Sequence, residues 1–288
     1  MEQYEKKRVG LFGFGRTGKS VASALLSNGN IDLRWVMRNS SAQDGRYITD
    51  LLSLEIERDA KLFSLANSDI HKIIEEDPVD YIVDFSSTSG LSKYIDIAIR
   101  NRIAIVSAIS SYSEPEKSAL SRASDFTRVF HSPNITIGIN FMLIASKILR
   151  NIAPHADIEI VEEHFSAKPE TSGTATIVAE TRDLHADQIK SIRAGGIIGV
   201  HEVIFGFPNQ TVRLTHESIS REAFGNGAIF AIRNLPAAES GFFTMEDLLR
   251  PYFRMELADS DETPRKSPPW WKFWHSEIPQ SRYTTLAS

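Results

Sequence analysis

The segment Gly13-Phe14-Gly15-Arg16-Thr17-Gly18 constrains the fold of this chain more than any other. It follows a short apolar run, RVGLFG at 8–13, and opens a stretch at 17–27 with helical periodicity. A G-x-G-x-x-G loop between a strand and a helix needs glycine for three reasons: a tight turn, close backbone approach to a pyrophosphate, and close helix–strand packing. The helix N-terminus adds free N–H groups and a partial positive charge. A glycine-rich turn without a ligand is the plain alternative, but the position after a first strand favours a dinucleotide. Gly13, Gly15, Arg16, Thr17 and Gly18 are therefore cofactor-binding candidates.

The pattern downstream agrees. LRWVM at 33–37, DYIVDF at 80–85 and IAIVSAI at 103–109 are short apolar runs of strand type. Helical stretches at 70–76 and 91–101 alternate with them. Such alternation predicts a doubly wound parallel sheet with crossover helices, making residues 1–131 one α/β unit. The second strand ends Val36-Met37-Arg38-Asn39-Ser40-Ser41, with no acid. An acid there would hold the ribose hydroxyls of NADH, whereas a cation suits a 2′-phosphate. Arg38 points to NADPH, with NADH possible and a solvated surface arginine as the alternative.

Past residue 131 the texture shifts. FMLIASKILRN at 141–151 reads as a helix, and DIEIVEEHF at 157–165 alternates like a strand. TATIVAETRDLHADQIKSI at 174–192 reads as helical. VHEVIFGF and QTVRLTHESI alternate on either side of a turn at Pro208-Asn209, the pattern of a half-exposed antiparallel pair. Residues 132–235 are expected to form an α+β domain with a mixed, largely antiparallel sheet, and roughly 236–249 to return to the first domain. From residue 250 to 288 an extension follows, linker-like at DSDETPRKSPP and aromatic at Trp270, Trp271, Phe273 and Trp274. Flexibility or packing on the protein's own surface is its plain reading, a membrane interface or partner groove the other.

Composition removes several function classes. A net charge of −5 leaves no basic footprint for nucleic acid. The absence of cysteine excludes disulfides, thiolate zinc sites and a cysteine nucleophile. The eight histidines show no ligand spacing with carboxylates, so no metal is expected. His201 and His216 read as residues that orient loops or subunit contacts. No apolar run reaches spanning length, and MEQYEKKRVG lacks a signal-peptide core, so a cytoplasmic protein is the expectation.

Glu162-Glu163-His164-Phe165-Ser166-Ala167-Lys168-Pro169-Glu170-Thr171-Ser172-Gly173-Thr174-Ala175 joins a strand to a helix. Ser172, Gly173 and Thr174 at the helix start offer hydroxyls and N–H groups to a carboxylate or phosphate. His164 can deliver a proton near neutral pH, and Lys168 can donate one or neutralise developing negative charge. On spacing alone, Ser172 as a simple cap and His164 as a satisfied strand residue remain open.

These residues carry a resemblance. The stretch from Glu162 to Ala175 is similar to the E-x-H-H-x-x-K-x-D-A-P-S-G-T-A motif of the dihydrodipicolinate reductase family. Arg193 to Phe205 resembles its R-x-G-G-x-x-G-x-H-x-V-x-F. Leu214-Thr215-His216, Ser220-Arg221, Phe224 and Gly227-Ala228 resemble a third motif, and Ser132 to Asn140 the hinge segment. The resemblance runs in order from about residue 8 to residue 249. It implies a Rossmann cofactor domain, a substrate domain that assembles a homotetramer (or a homodimer), and hydride transfer from NADPH or NADH to a cyclic unsaturated dicarboxylate. By matching positions it makes His164 the proton donor and Lys168 its electrostatic partner, with Ser172, Gly173 and Thr174 on a substrate carboxylate. It also places Phe85, Ser107 and Ile109 beside the cofactor.

Four departures fall at the site. The family's second histidine is Phe165 here, and the anchor loop before Ser172 is one residue shorter. The family's G-T-T-G loop reads Ser107-Ala108-Ile109-Ser110, and its F-T-x-P segment reads Phe85-Ser86-Ser87-Thr88. Three readings follow: a divergent dihydrodipicolinate reductase, a reductase of a related cyclic imine acid, or an inactive nucleotide-binding paralogue. Retention of His164, Lys168 and Ser172-Gly173-Thr174 argues against the last.

Overall fold

Tyr81–Asp84 and Ala104–Ser107 are buried at every position, which requires cover on both faces of the sheet they build. The computed structural model, which describes residues 6–180 and 185–258, supplies that cover. The first elements are β1 (Lys7–Phe12), α1 (Arg16–Ser27), β2 (Ile31–Arg38), α2 (Ile48–Leu52), β3 (Lys61–Ser64), α3 (Ile70–Glu76) and β4 (Tyr81–Asp84). Next come α4 (Leu91–Arg100), β5 (Ala104–Ser107), α5 (Glu114–Ala123), β6 (Arg128–His131), α6 (Ile137–Ile152), β7 (Asp157–His164) and α7 (Gly173–Glu180). The last are β8 (Ile189–Arg193), β9 (Val200–Phe207), β10 (Gln210–Glu217), α8 (Glu222–Asn234), β11 (Gly241–Phe243) and α9 (Met245–Ala258).

Seven strands form one sheet in the order β11-β6-β5-β4-β1-β2-β3, with every pair parallel. The direction of winding reverses between β1 and β4. At such a switch point the carboxyl ends of the strands leave a crevice for a ligand. Phe12 anchors the core beneath it, edge-on to Trp35 at 5.9 Å between ring centroids and tilted on Tyr94 at 4.6 Å.

The second sheet is mixed, in the order β10-β9-β7-β8: β7 is antiparallel to β9 and parallel to β8. Ile158, Ile160, Val203 and Phe205 pack on Met142 of α6 and on Ala175 and Val178 of α7. Alternation along β7 puts Glu162 and His164 on this same covered face. The Rossmann-type parallel sheet plus mixed second sheet is thus the architecture read from the sequence.

One element differs. Residues 174–192 are not a single helix: α7 is followed, beyond 181–184, by a 3-10 turn at Ala186–Gln188 and by β8. Register pairs Ile160 with Ile189 and Glu162 with Ser191, so β7 recruits a segment whose helical periodicity is overridden by its neighbour. Helix α8, grouped by sequence with residues 132–235, packs along α1. β11 adds itself to β6 on the first sheet. The aromatic cluster at 270–274 lies outside the described residues.

Candidate active site

At the end of β1 the chain turns through Gly13, whose φ of +103° is a conformation that side chains resist. A Cβ there would lie 2.6 Å from the backbone carbonyl of Phe85, and one at Gly18 would lie 2.1 Å from the Gly13 oxygen. These glycines let β1, α1 and the loop after β4 close on one another. Gly15, by contrast, faces open space. It caps α1, whose first turn carries no acid and no side-chain cap, with Arg16 and Thr17 opening the helix. Unopposed N–H groups beside open space fit a pyrophosphate. Arg38 closes β2, its guanidinium donating to the carbonyl of Ala42 at 3.2 Å and to Gln43 at 3.3 Å.

Phe85 follows β4 and lies against that turn, while Ser107 and Ile109 stand at the carboxyl end of β5. The Phe85 N–H bonds the Phe12 carbonyl at 2.8 Å. Ser107 and Ile109 are buried, and the Ser107 hydroxyl is 2.9 Å from that of Tyr112.

The second sheet brings His164, Lys168 and Ser172 to its end. His164 Nδ1 rests against Glu162 Oε2, and the other oxygen of Glu162 accepts from Ser191 and, at 2.6 Å, from Arg193. Burial opposes charge on Glu162, but the Arg193 and Ser191 hydrogen bonds outweigh it and hold its pKa below the usual range. Burial lowers the His164 pKa; the Glu162 carboxylate works the other way, and Lys168 and Arg193 reinforce burial. With Nδ1 committed to Glu162, the exchangeable proton of His164 belongs to Nε2, which faces the Gly199 backbone.

Arg193 also threads the loop that carries Lys168. Its Nε donates to the Lys168 carbonyl at 3.1 Å and its Nη2 to the Glu170 carbonyl at 2.9 Å. This clamp fixes a loop that is otherwise exposed. Ser172 caps α7 by accepting the Ala175 N–H at 3.0 Å, and its hydroxyl lies 2.8 Å from His201 Nε2. Burial pushes the His201 pKa down to about 4, so its ring is neutral at pH 7. Ser172 Oγ thus bonds both the Ala175 N–H and that ring. The groups left to meet an anion are the N–H groups of Gly173 and Thr174 and the Thr174 hydroxyl, whose oxygen accepts from Asn134 at 3.2 Å.

Spacing and motifs alone do not single out Glu162, Arg193 or Asn134 as site residues, and they give His201 only a structural reading. Period-two spacing from His164 marks Glu162 as its same-face neighbour, and register places His201 opposite Glu162. Glu162, His164 and His201 offer donor atoms within 4.8 Å of one another, a grouping able to hold a cation. Arg193 already neutralises Glu162 there, which weakens any such site.

Two family models match this chain in tandem. One described as "Dihydrodipicolinate reductase, N-terminus" covers residues 7–135, and its C-terminal counterpart covers 135–249. The 4-hydroxy-tetrahydrodipicolinate reductase of Caldanaerobacter subterraneus subsp. tengcongensis is 32% identical over 205 residues, 64% of this chain and 81% of the relative. That of Burkholderia mallei (strain SAVP1) is 29% identical over 262 residues, 82% of this chain and 94% of the relative. The fold is similar to dipicolinate-bound dihydrodipicolinate reductase from Paenisporosarcina sp. TG-14, with a TM-score of 0.68 at 19% identity, covering 84% of this chain and 98% of that one.

Proposed function

Because the chain belongs to the dihydrodipicolinate reductase family, we propose that His164 is the proton donor and Lys168 the electrostatic partner of its reaction. The protein is an NAD(P)H-dependent oxidoreductase of the dihydrodipicolinate reductase type. Its proposed substrate is the cyclic unsaturated dicarboxylate for which the curated relatives are named, on the route to diaminopimelate and lysine. The observation that carries the assignment is the Glu162–His164 contact beside the Ser172–Thr174 turn.

The reduced nicotinamide supplies a hydride, and Gly13, Gly15, Arg16, Thr17 and Gly18, with the loops of Phe85, Ser107 and Ile109, would hold the nucleotide. Gly173 and Thr174 orient the substrate through a carboxylate. Hydride addition at carbon raises electron density along the conjugated ring. His164 Nε2 delivers one proton to that density, and Lys168 stabilises the negative charge as it develops. Glu162 keeps the imidazole oriented and stabilises its charged form. Replacing His164 by Gln should abolish turnover and leave nucleotide binding intact; turnover retained by that variant contradicts the role.

Arg38, at the end of a strand with no acid, supports NADPH over NADH; Arg38→Ala should erase that preference. Phe165 supports a second reading, a related cyclic imine acid with one fewer polar anchor, since an apolar ring cannot replace an imidazole's hydrogen bonds. A homotetramer or homodimer is proposed through the outer face of the second sheet, where Ile192 is exposed. Among the described residues no helix is long and apolar enough to cross a membrane, and a cytoplasmic location is part of this reading.

A further inference from the structure

A buried polar network lies under the cofactor-facing edge of the first sheet. Asp84, the last residue of β4, is completely buried. Its Oδ1 accepts the Ser86 N–H at 2.8 Å and the Ser86 hydroxyl at 2.6 Å, and its Oδ2 accepts the Tyr94 hydroxyl at 2.8 Å. Tyr112 turns its hydroxyl toward the same carboxylate and lies 2.9 Å from Ser107 Oγ, at the end of β5. Ser107 Oγ accepts the Ile109 N–H at 3.4 Å, and His131 Nε2 lies 2.9 Å from the Ile109 carbonyl. One carboxylate and two phenols thus tie together the loops that leave β4 and β5.

The loop after β4 borders the Gly13 turn at the switch point between β1 and β4, where the Phe85 backbone stands in the way of a Cβ at Gly13, and the loop after β5 joins it where the Ala108 N–H donates to the Asp84 carbonyl at 3.0 Å. Burying a carboxylate is unfavourable unless it is well supplied with donors. Burial does raise the Asp84 pKa, while the Ser86, Tyr94 and Tyr112 donors oppose that rise. A network maintained against that cost, at the ligand end of two strands, is suited to hold loops in their bound shape.

We propose that Tyr112, acting through Ser107 and alongside Asp84 and Tyr94, is a positioning residue for binding of the nicotinamide nucleotide. The network fixes residues 85–90 and 107–110 before the nucleotide arrives, so less ordering remains to be done on binding. This rests on the dinucleotide reading of the Gly13–Gly18 loop.

The test is calorimetric titration of the full chain with NADPH, for wild type, Tyr112→Phe, Ser107→Ala and the double variant, beside thermal unfolding and steady-state kinetics. Each single variant should bind NADPH roughly tenfold more weakly, the size expected for one lost hydrogen bond. The double variant should lose clearly less than the two single losses combined, because the Ser107–Tyr112 bond is removed in all three. KM for NADPH should rise in step, while kcat at saturating nucleotide falls less than about twofold. Wild-type affinity in folded variants overturns the proposal, and so does an additive double variant, which makes Tyr112 a packing residue. If wild type itself binds neither NADPH nor NADH, the dinucleotide reading falls together with the proposal.

Discussion

Ser172 Oγ lies 2.8 Å from His201 Nε2 while accepting the Ala175 N–H at 3.0 Å. The hydroxyl is therefore occupied twice within the protein, and the groups of this turn proposed to meet an anion are its N–H groups and Thr174. Replacing His201 with Ala releases the hydroxyl and loosens the start of α7. The expected outcome is a KM for the carboxylate substrate raised about tenfold, with a smaller change in kcat. Steady-state kinetics at saturating NADPH check this; an unchanged KM contradicts it.

His201 also makes stability pH-dependent. Its folded pKa is lowered to about 4 by burial, so below about pH 6.5 the unfolded chain takes up a proton that the folded chain refuses. Its contribution is complete above that range and is lost as pH falls toward 4. Between pH 7 and pH 5, wild type should lose about 2 kcal/mol more unfolding free energy than His201→Gln. Urea unfolding at the two pH values reads the difference, and equal losses would show that His201 is not neutral in the fold.

The rate should respond to pH through His164. A proton donor is active while protonated, so kcat/KM falls as pH rises through its pKa. Burial sets that pKa below the usual histidine value, against the pull of Glu162. Glu162→Gln removes the pull and should shift the falling limb to still lower pH, with the maximum rate reduced. A limb that stays in place or moves up in pH contradicts the pairing.

Gly13 should tolerate no side chain. Alanine there meets a φ of +103° and a carbonyl 2.6 Å from its Cβ. Strain of roughly 1–3 kcal/mol follows from the backbone alone. Gly13→Ala should bind NADPH at least about tenfold more weakly by calorimetry and melt at a lower temperature. Unchanged binding would mean that the turn does not face the nucleotide.

How much of this was legible beforehand differs between the two sheets. The glycine loop and the strands around Trp35, Ile82 and Ile105 announce themselves because fully buried parallel strands are continuous apolar runs. The segment 189–193 does not, since it is a strand only by pairing with β7, and its own pattern is ambiguous. His164, Lys168 and Ser172 were visible through motif spacing. Glu162 and His201 were not, because their role arises from strand register: one row across β7 and β9 places them side by side. Arg193 is one position of a motif in the sequence, and its clamp on the Lys168 and Glu170 carbonyls exists only once β8 lies beside β7.

In the proposed mechanism, hydride transfer and protonation occur at the His164–Lys168 site. NADPH oxidation by the purified protein, with freshly generated hydroxy-tetrahydrodipicolinate, tests it most directly beside Lys168→Ala. Wild type should turn over steadily and the variant should lose about 10²–10⁴ in kcat, with NADPH binding retained. Wild-type protein that binds NADPH but leaves this substrate unreduced would contradict the substrate assignment, and turnover undiminished in Lys168→Ala would contradict the site.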